Sequence, residues 1–211
     1  MSDVTPADVW REMSAGNERF IAGTPAHPRQ DVEHRSELAL AQTPKAALFG
    51  CSDSRLSAEI IFDQGLGDLF VVRNAGQVIS SSVLGSLEYA VEVLGVALIM
   101  VLAHDSCGAV EAAIQKDQDP TTLFPPHVDD IVTDILPAVV RTRESAGAMQ
   151  GDHIDSSVVG LEHLRDTISA LLSQSELIGH KIAEGKLAIV GANYRLAEGR
   201  VISDVVVGDI S

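Results

Sequence analysis

This chain of 211 residues predicts an α/β fold: a mostly parallel central β-sheet with flanking helices and an N-terminal helical arm. Two observations point there. Short, continuously apolar runs recur as KAALFG (Lys45 to Gly50), LFVVR (Leu69 to Arg73), VALIMVLA (Val96 to Ala103) and LAIVGA (Leu187 to Ala192). Strands with no polar alternate residues are buried on both faces, as parallel strands are. Stretches of helical periodicity separate the runs, and that alternation gives parallel strands joined by right-handed crossovers. Residues 1–211 read as a single domain, a length that buries a substantial core. Aromatic residues are only 4%, so aliphatic side chains must fill that core.

The elements follow in order. Thr5-Pro6-Ala7-Asp8 supplies an N-cap, a proline at the first helical position and an acid in the first turn. Val9, Met13, Phe20 and Ile21 then recur at helical spacing to about Ala22. A polar, proline-containing stretch from Gly23 to Gln30 precedes a second short helix over His34 to Ala41. The runs at 45–50 and 69–73 are the first two strands. Val83, Leu87, Ala90, Val91 and Leu94 form a helical stripe within Ser82 to Leu94. Strand 96–103 turns through HDSCGAV into another helix. A helix over about Ile154 to Glu184 leads to strand 187–192, and Val201 to Val207 alternates less cleanly, as an edge strand does. Asp117 to Pro126 and Ser145 to Asp155 are polar and are expected as exposed loops. There is no internal repeat.

A net charge of −15 argues against nucleic acid as a partner, because phosphate binding needs clustered Lys and Arg. The N-terminus MSDVTPADVW lacks the apolar segment of a signal peptide, and the run Val96 to Ala103 is too short to span a bilayer. The expectation is a cytoplasmic location, no membrane partner and reduced thiols.

The chain's two cysteines lie in CSDSR (Cys51 to Arg55) and HDSC (His104 to Cys107), each just after a strand-like run. Ligands of open α/β sheets sit beyond the carboxyl ends of the strands, where both motifs fall. Cys51, His104 and Cys107 amount to three soft or borderline ligands, the number a catalytic zinc site uses while its fourth position stays open. The plain alternative is a pair of buried cysteines acting as small hydrophobes. Asp53 is placed either to hydrogen-bond a zinc-bound water or to bind zinc as a fourth ligand in a closed state. Arg55 can hold its carboxylate in a bidentate pair, the alternative being an ordinary surface salt bridge.

CSDSR, FVVRNAG (Phe70 to Gly76), LEYAV (Leu87 to Val91) and HDSCGA resemble, in order and spacing, the signature blocks of the β-class carbonic anhydrases. GNERF (Gly16 to Phe20) and QTP (Gln42 to Pro44) extend the resemblance to nearly the whole chain, and it is closest to the actinobacterial type. The resemblance implies Zn2+, one per subunit, held by Cys51, His104 and Cys107, with Asp53 and Arg55 as catalytic dyad. Gln42, Phe70, Ala75, Tyr89 and Gly108 fall where the family lines its carbon dioxide and bicarbonate pocket, partly across a dimer interface. Without the resemblance, Phe70 and Tyr89 read equally as core aromatics and Gln42 as a loop residue. Also implied are a homo-oligomer, dimer or tetramer, with the arm of residues 1–40 on the partner subunit, and reversible hydration of carbon dioxide to bicarbonate and a proton through zinc-bound hydroxide. Two thiolates cancel the ion's charge, so activity is expected to rise into the alkaline range.

Two positions depart from the family pattern. Ala103 stands where glycine usually precedes the histidine, and Leu48 where members with a second, non-catalytic bicarbonate site carry tryptophan, although Arg73 remains. Three other readings compete. The same site could hydrolyse carbonyl sulfide or carbon disulfide, or the protein could be a non-catalytic, zinc-stabilised one. Gly65-x-Gly67 suggests a nucleotide-binding protein only weakly, lacking a third glycine. His127, His153, His163 and His180 sit among polar residues and are expected to be exposed, one of them serving proton export.

Overall fold

The computed structural model describes residues 4–211. Five strands, β1 (Ala46–Cys51), β2 (Leu69–Asn74), β3 (Leu98–His104), β4 (Ala188–Arg195) and β5 (Arg200–Val207), form one sheet in the order β2-β1-β3-β4-β5. The first four are mutually parallel, and β5 runs antiparallel to β4 at the edge. Every residue of β1 and β3 is buried, which is why those runs carry no polar alternation. Successive side chains enter opposite layers. Leu48, Leu98, Met100, Leu102 and Val190 pack with α1 (Pro6–Ile21), α5 (Gly108–Gln118) and α6 (Pro126–Ser145) on one face. Phe49, Ile99, Val101 and Ile189 pack with α4 (Ser81–Glu92), α7 (Ser156–Gln174) and α8 (Glu176–Ala183) on the other. Truncating a buried residue such as Leu102 to alanine would cost about 2–5 kcal/mol.

The strand order fixes where a site can form. From β1 the chain passes through the short α3 (Ala58–Ile61) to β2 on one side, then returns through α4 to β3 on the other side of β1. Connections therefore diverge between β1 and β3, and their carboxyl ends border the crevice in which α/β sheets bind ligands. Cys51 is the last residue of β1 and His104 the last of β3.

At the N-terminus the Thr5 hydroxyl accepts the Asp8 amide at 3.2 Å while the Asp8 carboxylate accepts the Thr5 amide at 3.4 Å, with Pro6 at the first helical position. This capping box starts α1. One face of α1 then docks on its own chain. A Cβ at Gly16 would lie 1.8 Å from the Phe62 carbonyl oxygen, so only glycine allows that approach. Beside it, Asn17 donates to the carbonyls of Ile61 (3.1 Å) and Gly199 (2.8 Å) and accepts the Val201 amide (2.9 Å).

Several expectations need correction. The second helix, α2 (Val32–Leu38), begins earlier than expected because the Asp31 carboxylate caps it by accepting the His34 amide at 2.8 Å. Helices α3 and α6 were not expected at all. Asp117 and Gln118 belong to α5 rather than to a loop, and Asp117 is buried against Arg143 (3.0 and 3.3 Å). The long helix over 154–184 is two helices. Ser175, at φ −128° and ψ 98°, breaks it, its hydroxyl accepting the Ile178 amide at 3.4 Å and donating to Glu88 at 2.6 Å. Among the described residues no helix is long and apolar enough to cross a membrane.

Candidate metal centre

Cys51 and His104 reach the crevice from adjacent strand ends, and Cys107 from the residue that caps α5. Between His104 and Cys107 the chain turns sharply, with Ser106 at φ 50°. Asp105 pins that turn to the last strands: its amide donates to the Tyr194 carbonyl at 3.2 Å, and its carboxylate accepts the Leu196 amide at 3.0 Å. One ligand atom from each of Cys51, His104 and Cys107 lies within 4.8 Å of the others, and all three residues are buried. The sulfurs are 4.0 Å apart, about twice a disulfide bond.

The histidine tests whether a cation fits. His104 Nδ1 is 2.8 Å from the Asp105 carbonyl oxygen. A carbonyl only accepts, so Nδ1 carries the proton and Nε2 is the bare nitrogen. That Nε2 is buried with no hydrogen-bond partner. A lone pair so placed, beside two sulfurs, is an orphan in the protein and a ligand to a soft or borderline cation. The donor set of two sulfurs and one imidazole nitrogen suits zinc, and the carbonyl bond that fixes the ring is the usual partner of a metal-binding histidine. The Cys107 thiol facing Cys51, helped by His104 and by the Gly76 and Asp53 amides, holds the Cys51 thiol far below its ordinary range against the opposing effect of burial. The same contact, with burial, pushes the Cys107 thiol up, so Cys51 is the cysteine poised as a thiolate and Cys107 would give up its proton when a metal binds.

Asp53 and Arg55 form a closed pair beside this cluster. Asp53 Oδ1 accepts the Arg55 amide at 2.9 Å and its Nε at 2.8 Å, and Oδ2 accepts the terminal guanidinium nitrogen at 2.6 Å. The guanidinium holds the Asp53 carboxyl far below the usual carboxylate range. It also donates to the Ser106 carbonyl at 3.3 Å, linking the two motifs. Asp53 Oδ2 is 4.0 Å from His104 Nε2. Arg73, which the sequence reading left without a role, donates to the carbonyls of Cys51 (2.9 Å) and Asp53 (2.7 Å) and so holds the loop that carries both side chains.

The other candidates divide. Ala75 and Gly108 are exposed and adjoin, in sequence, Gly76 and Cys107, both of which stand at the cluster. Gln42 and Tyr89 are exposed and Phe70 half-buried, with the rings of Phe70 and Tyr89 6.1 Å apart. Phe70 pairs with Ala47, four positions before Cys51 and so about 13 Å along the strand. This chain alone does not bring Phe70 to its own metal centre, and Gln42 is an exposed loop residue that precedes β1. Leu48 is core, and Ala103 is buried in β3 opposite Asn193.

His127, His153 and His180 are exposed as expected, but His163 is buried, with 3% of its surface exposed. Its polar sequence neighbours Glu162 and Arg165 conceal a stripe of Val159, His163 and Thr167 that faces the core.

A family model described as Carbonic anhydrase matches residues 46–201. The structure of the β-carbonic anhydrase CcaA shares the fold at a TM-score of 0.73, with 24% identity over 96% of this chain and 92% of that one. The chain belongs to the β-class carbonic anhydrases. Carbonic anhydrase 2 of Mycobacterium tuberculosis is 49% identical over 210 residues, 100% of this chain and 98% of the relative. The carbonic anhydrase of Mycolicibacterium smegmatis is 46% identical over 213 residues, with the same coverage. These relatives make this β-carbonic anhydrase one of the actinobacterial type, a lyase that hydrates carbon dioxide. A tetrameric β-carbonic anhydrase of Sordaria macrospora has the same fold at a TM-score of 0.71, with 24% identity over 93% of this chain and 96% of its own.

Proposed function

We propose that Cys51, His104 and Cys107 hold one zinc ion per chain, and that Asp53, oriented by Arg55, manages the proton of the water that attacks carbon dioxide. The observation that carries this is the buried, unpartnered His104 Nε2 beside two cysteine sulfurs. Zinc bound there would supply a Lewis acid that lowers the pKa of water, though less far than a site of neutral ligands would, so that hydroxide becomes available toward alkaline pH. Asp53 is ionised and engaged by Arg55 through both oxygens, so its remaining lone pairs can accept one hydrogen bond from the nucleophile and aim it. Hydration adds the oxygen to the carbon and releases one proton to solvent, leaving bicarbonate. Binding of Asp53 to zinc as a fourth ligand would first have to break its three hydrogen bonds to Arg55. Ala75 and Gly108 offer small, uncharged walls for a neutral, linear substrate.

Gln42, Phe70 and Tyr89 complete, in this reading, the pocket of a second subunit. The free edge of β2 supports it: a two-fold axis pairing β2 with its own copy, antiparallel, sets the Phe70 end of one strand beside the Asn74 end of the other. Among the described residues, 4–40 then form an arm, whose inner face packs on its own single domain while its outer face covers the partner. The enzyme works as a dimer or tetramer in the cytoplasm. Stopped-flow carbon dioxide hydration with zinc counted per chain tests the roles. Cys107→Ser loses both zinc and activity, whereas Asp53→Asn keeps zinc and loses about 100-fold or more in rate. Full activity in Asp53→Asn would overturn the role of Asp53, and zinc bound stoichiometrically by Cys107→Ser would overturn the ligand set.

A further inference from the structure

The segment Ala75–Gln77, one turn of 3-10 helix after β2, has an uncommon backbone. Gly76 (φ 72°) and Gln77 (φ 41°) both occupy the left-handed region, where glycine is at ease and glutamine is not. No other residue fits at position 76, because a Cβ there would lie 2.9 Å from both Ala109 Cβ and Ile135 Cδ1. The result of this backbone is specific: the Gly76 amide donates to Cys51 Sγ at 3.4 Å.

Strain of this kind persists only where the surroundings over-determine it. From within, Asn74 bridges the turn, accepting the Val78 amide at 3.0 Å and donating to the Val78 carbonyl at 2.7 Å. From outside, α7 presses two side chains, one helical turn apart, onto the two left-handed residues. His163 Nε2 donates to the Gly76 carbonyl at 2.7 Å, and Thr167 Oγ1 lies 3.3 Å from the Gln77 carbonyl. The carbonyl only accepts, which fixes the proton on Nε2 and leaves Nδ1 bare. That Nδ1 is buried without a partner. For packing alone the histidine is a poor choice, since an apolar side chain would fill the site with no orphaned nitrogen. Burial favours the neutral ring, and its one polar contact is the carbonyl of Gly76, the residue whose own amide touches Cys51.

We propose that His163 is a positioning residue for the metal centre: by holding the Gly76 carbonyl it aims the Gly76 N–H at Cys51 Sγ and so moderates the electron donation of that thiolate to the metal. The inference rests on Cys51 being a metal ligand. Outer hydrogen bonds of this kind tune ligands and commonly change metal affinity by about 10–100-fold when removed. The substitution His163→Gln would place an amide N–H near the position of Nε2, whereas His163→Leu offers none.

The test compares wild-type enzyme, His163→Leu and His163→Gln, each loaded with zinc or with cobalt. In His163→Leu the Gly76 amide proton resonance moves upfield, the thiolate-to-cobalt charge-transfer band shifts, and zinc affinity by chelator competition falls about 10–100-fold. His163→Gln restores all three toward wild type, which loss of packing alone would not do. A Gly76 resonance and cobalt band unchanged in His163→Leu would overturn the proposal, as would a His163→Gln protein that behaves like the leucine variant. A further measurement needs no variant: in wild-type protein loaded with cadmium-113, a scalar coupling between the metal and the Gly76 amide proton supports the bond, and its absence overturns it. Wild-type protein that takes up no cobalt would refute the metal reading itself, before any variant is compared.

Discussion

At His104 the Asp105 carbonyl claims the Nδ1 proton, and the other nitrogen is left to face Cys51 and Cys107. Residue types and spacing made this legible, because few arrangements of two cysteines and a histidine follow two buried strands. Its supports were not legible. Arg73 and His163 act through backbone carbonyls of residues distant in sequence, and no local pattern marks such a partner. For His163 the available signal was the helical stripe with Val159 and Thr167. Asp63 is a second buried support, away from the Cys51–His104–Cys107 cluster. Burial pushes its carboxyl up, but the Ala26 and His27 amides (2.8 and 2.9 Å) and the Arg19 guanidinium (2.6 Å) outweigh that and hold it below its ordinary range. Folding therefore favours the ionised form. The stabilisation is fully present above an ordinary aspartate pKa of about 3.9 and drains away as pH falls through the lower folded value. In urea titrations Asp63→Asn is expected to lose about 3 kcal/mol at pH 7, a deficit that shrinks on acidification. An equal deficit at pH 7 and pH 3 would contradict this account.

Helices and strands differed in how plainly they announced themselves. The strands were readable because burial on both faces leaves an unbroken apolar run. Helix α6 was missed because Val132, Ile135 and Val139 are interleaved with Asp129, Asp130 and Asp134, and because Pro137 stands inside it. The α7–α8 break was hidden since Ser175 serves two helices at once, closing one and capping the next. Helix α1 announced its start through its cap, but its seat depends on Gly16, which spacing does not explain. Gly16→Ala would push against the Phe62 backbone at a distance no side chain tolerates. Thermal unfolding should show a loss of about 1–3 kcal/mol, with amide exchange in α1 rising more than in β3. An unshifted melting temperature would mean that α1 is seated by other contacts.

As a whole molecule the enzyme carries its zinc-ligand candidates at one end of the sheet and Phe70 toward the other. A single chain keeps the two apart, and the proposed two-fold pair would bring one chain's Phe70 to the other's metal centre. Mixing inactive variants tests this directly. Cys107→Ser lacks a metal centre but offers Phe70, while Phe70→Ala keeps the centre and withholds its ring. Unfolded together and refolded at equal amounts, they should recover roughly a quarter of wild-type activity beyond their own residues of rate, since half the dimers are mixed and one of the two sites in each is whole. No recovery, with mixed dimers demonstrated by mass, would place Phe70 outside the partner's pocket. The proposed two-fold arrangement rests on the family resemblance and on the position of β2 at the sheet edge, since edge strands and exposed rings do not by themselves say what covers them.

The crevice between β1 and β3 also sets an order of events. Cys51 is synthesised well before His104 and Cys107, and alone it is a single thiol with no hold on an ion. Its companions arrive with β3, and they become neighbours of Cys51 only when β3 pairs beside β1. The segment His104–Cys107 supplies only two of the three candidate ligands, and the third waits for β1 and β3 to lie side by side. Loading follows assembly. An ion held as proposed would inspect the finished sheet, retained by chains whose strands have found their order and refused by those that have not.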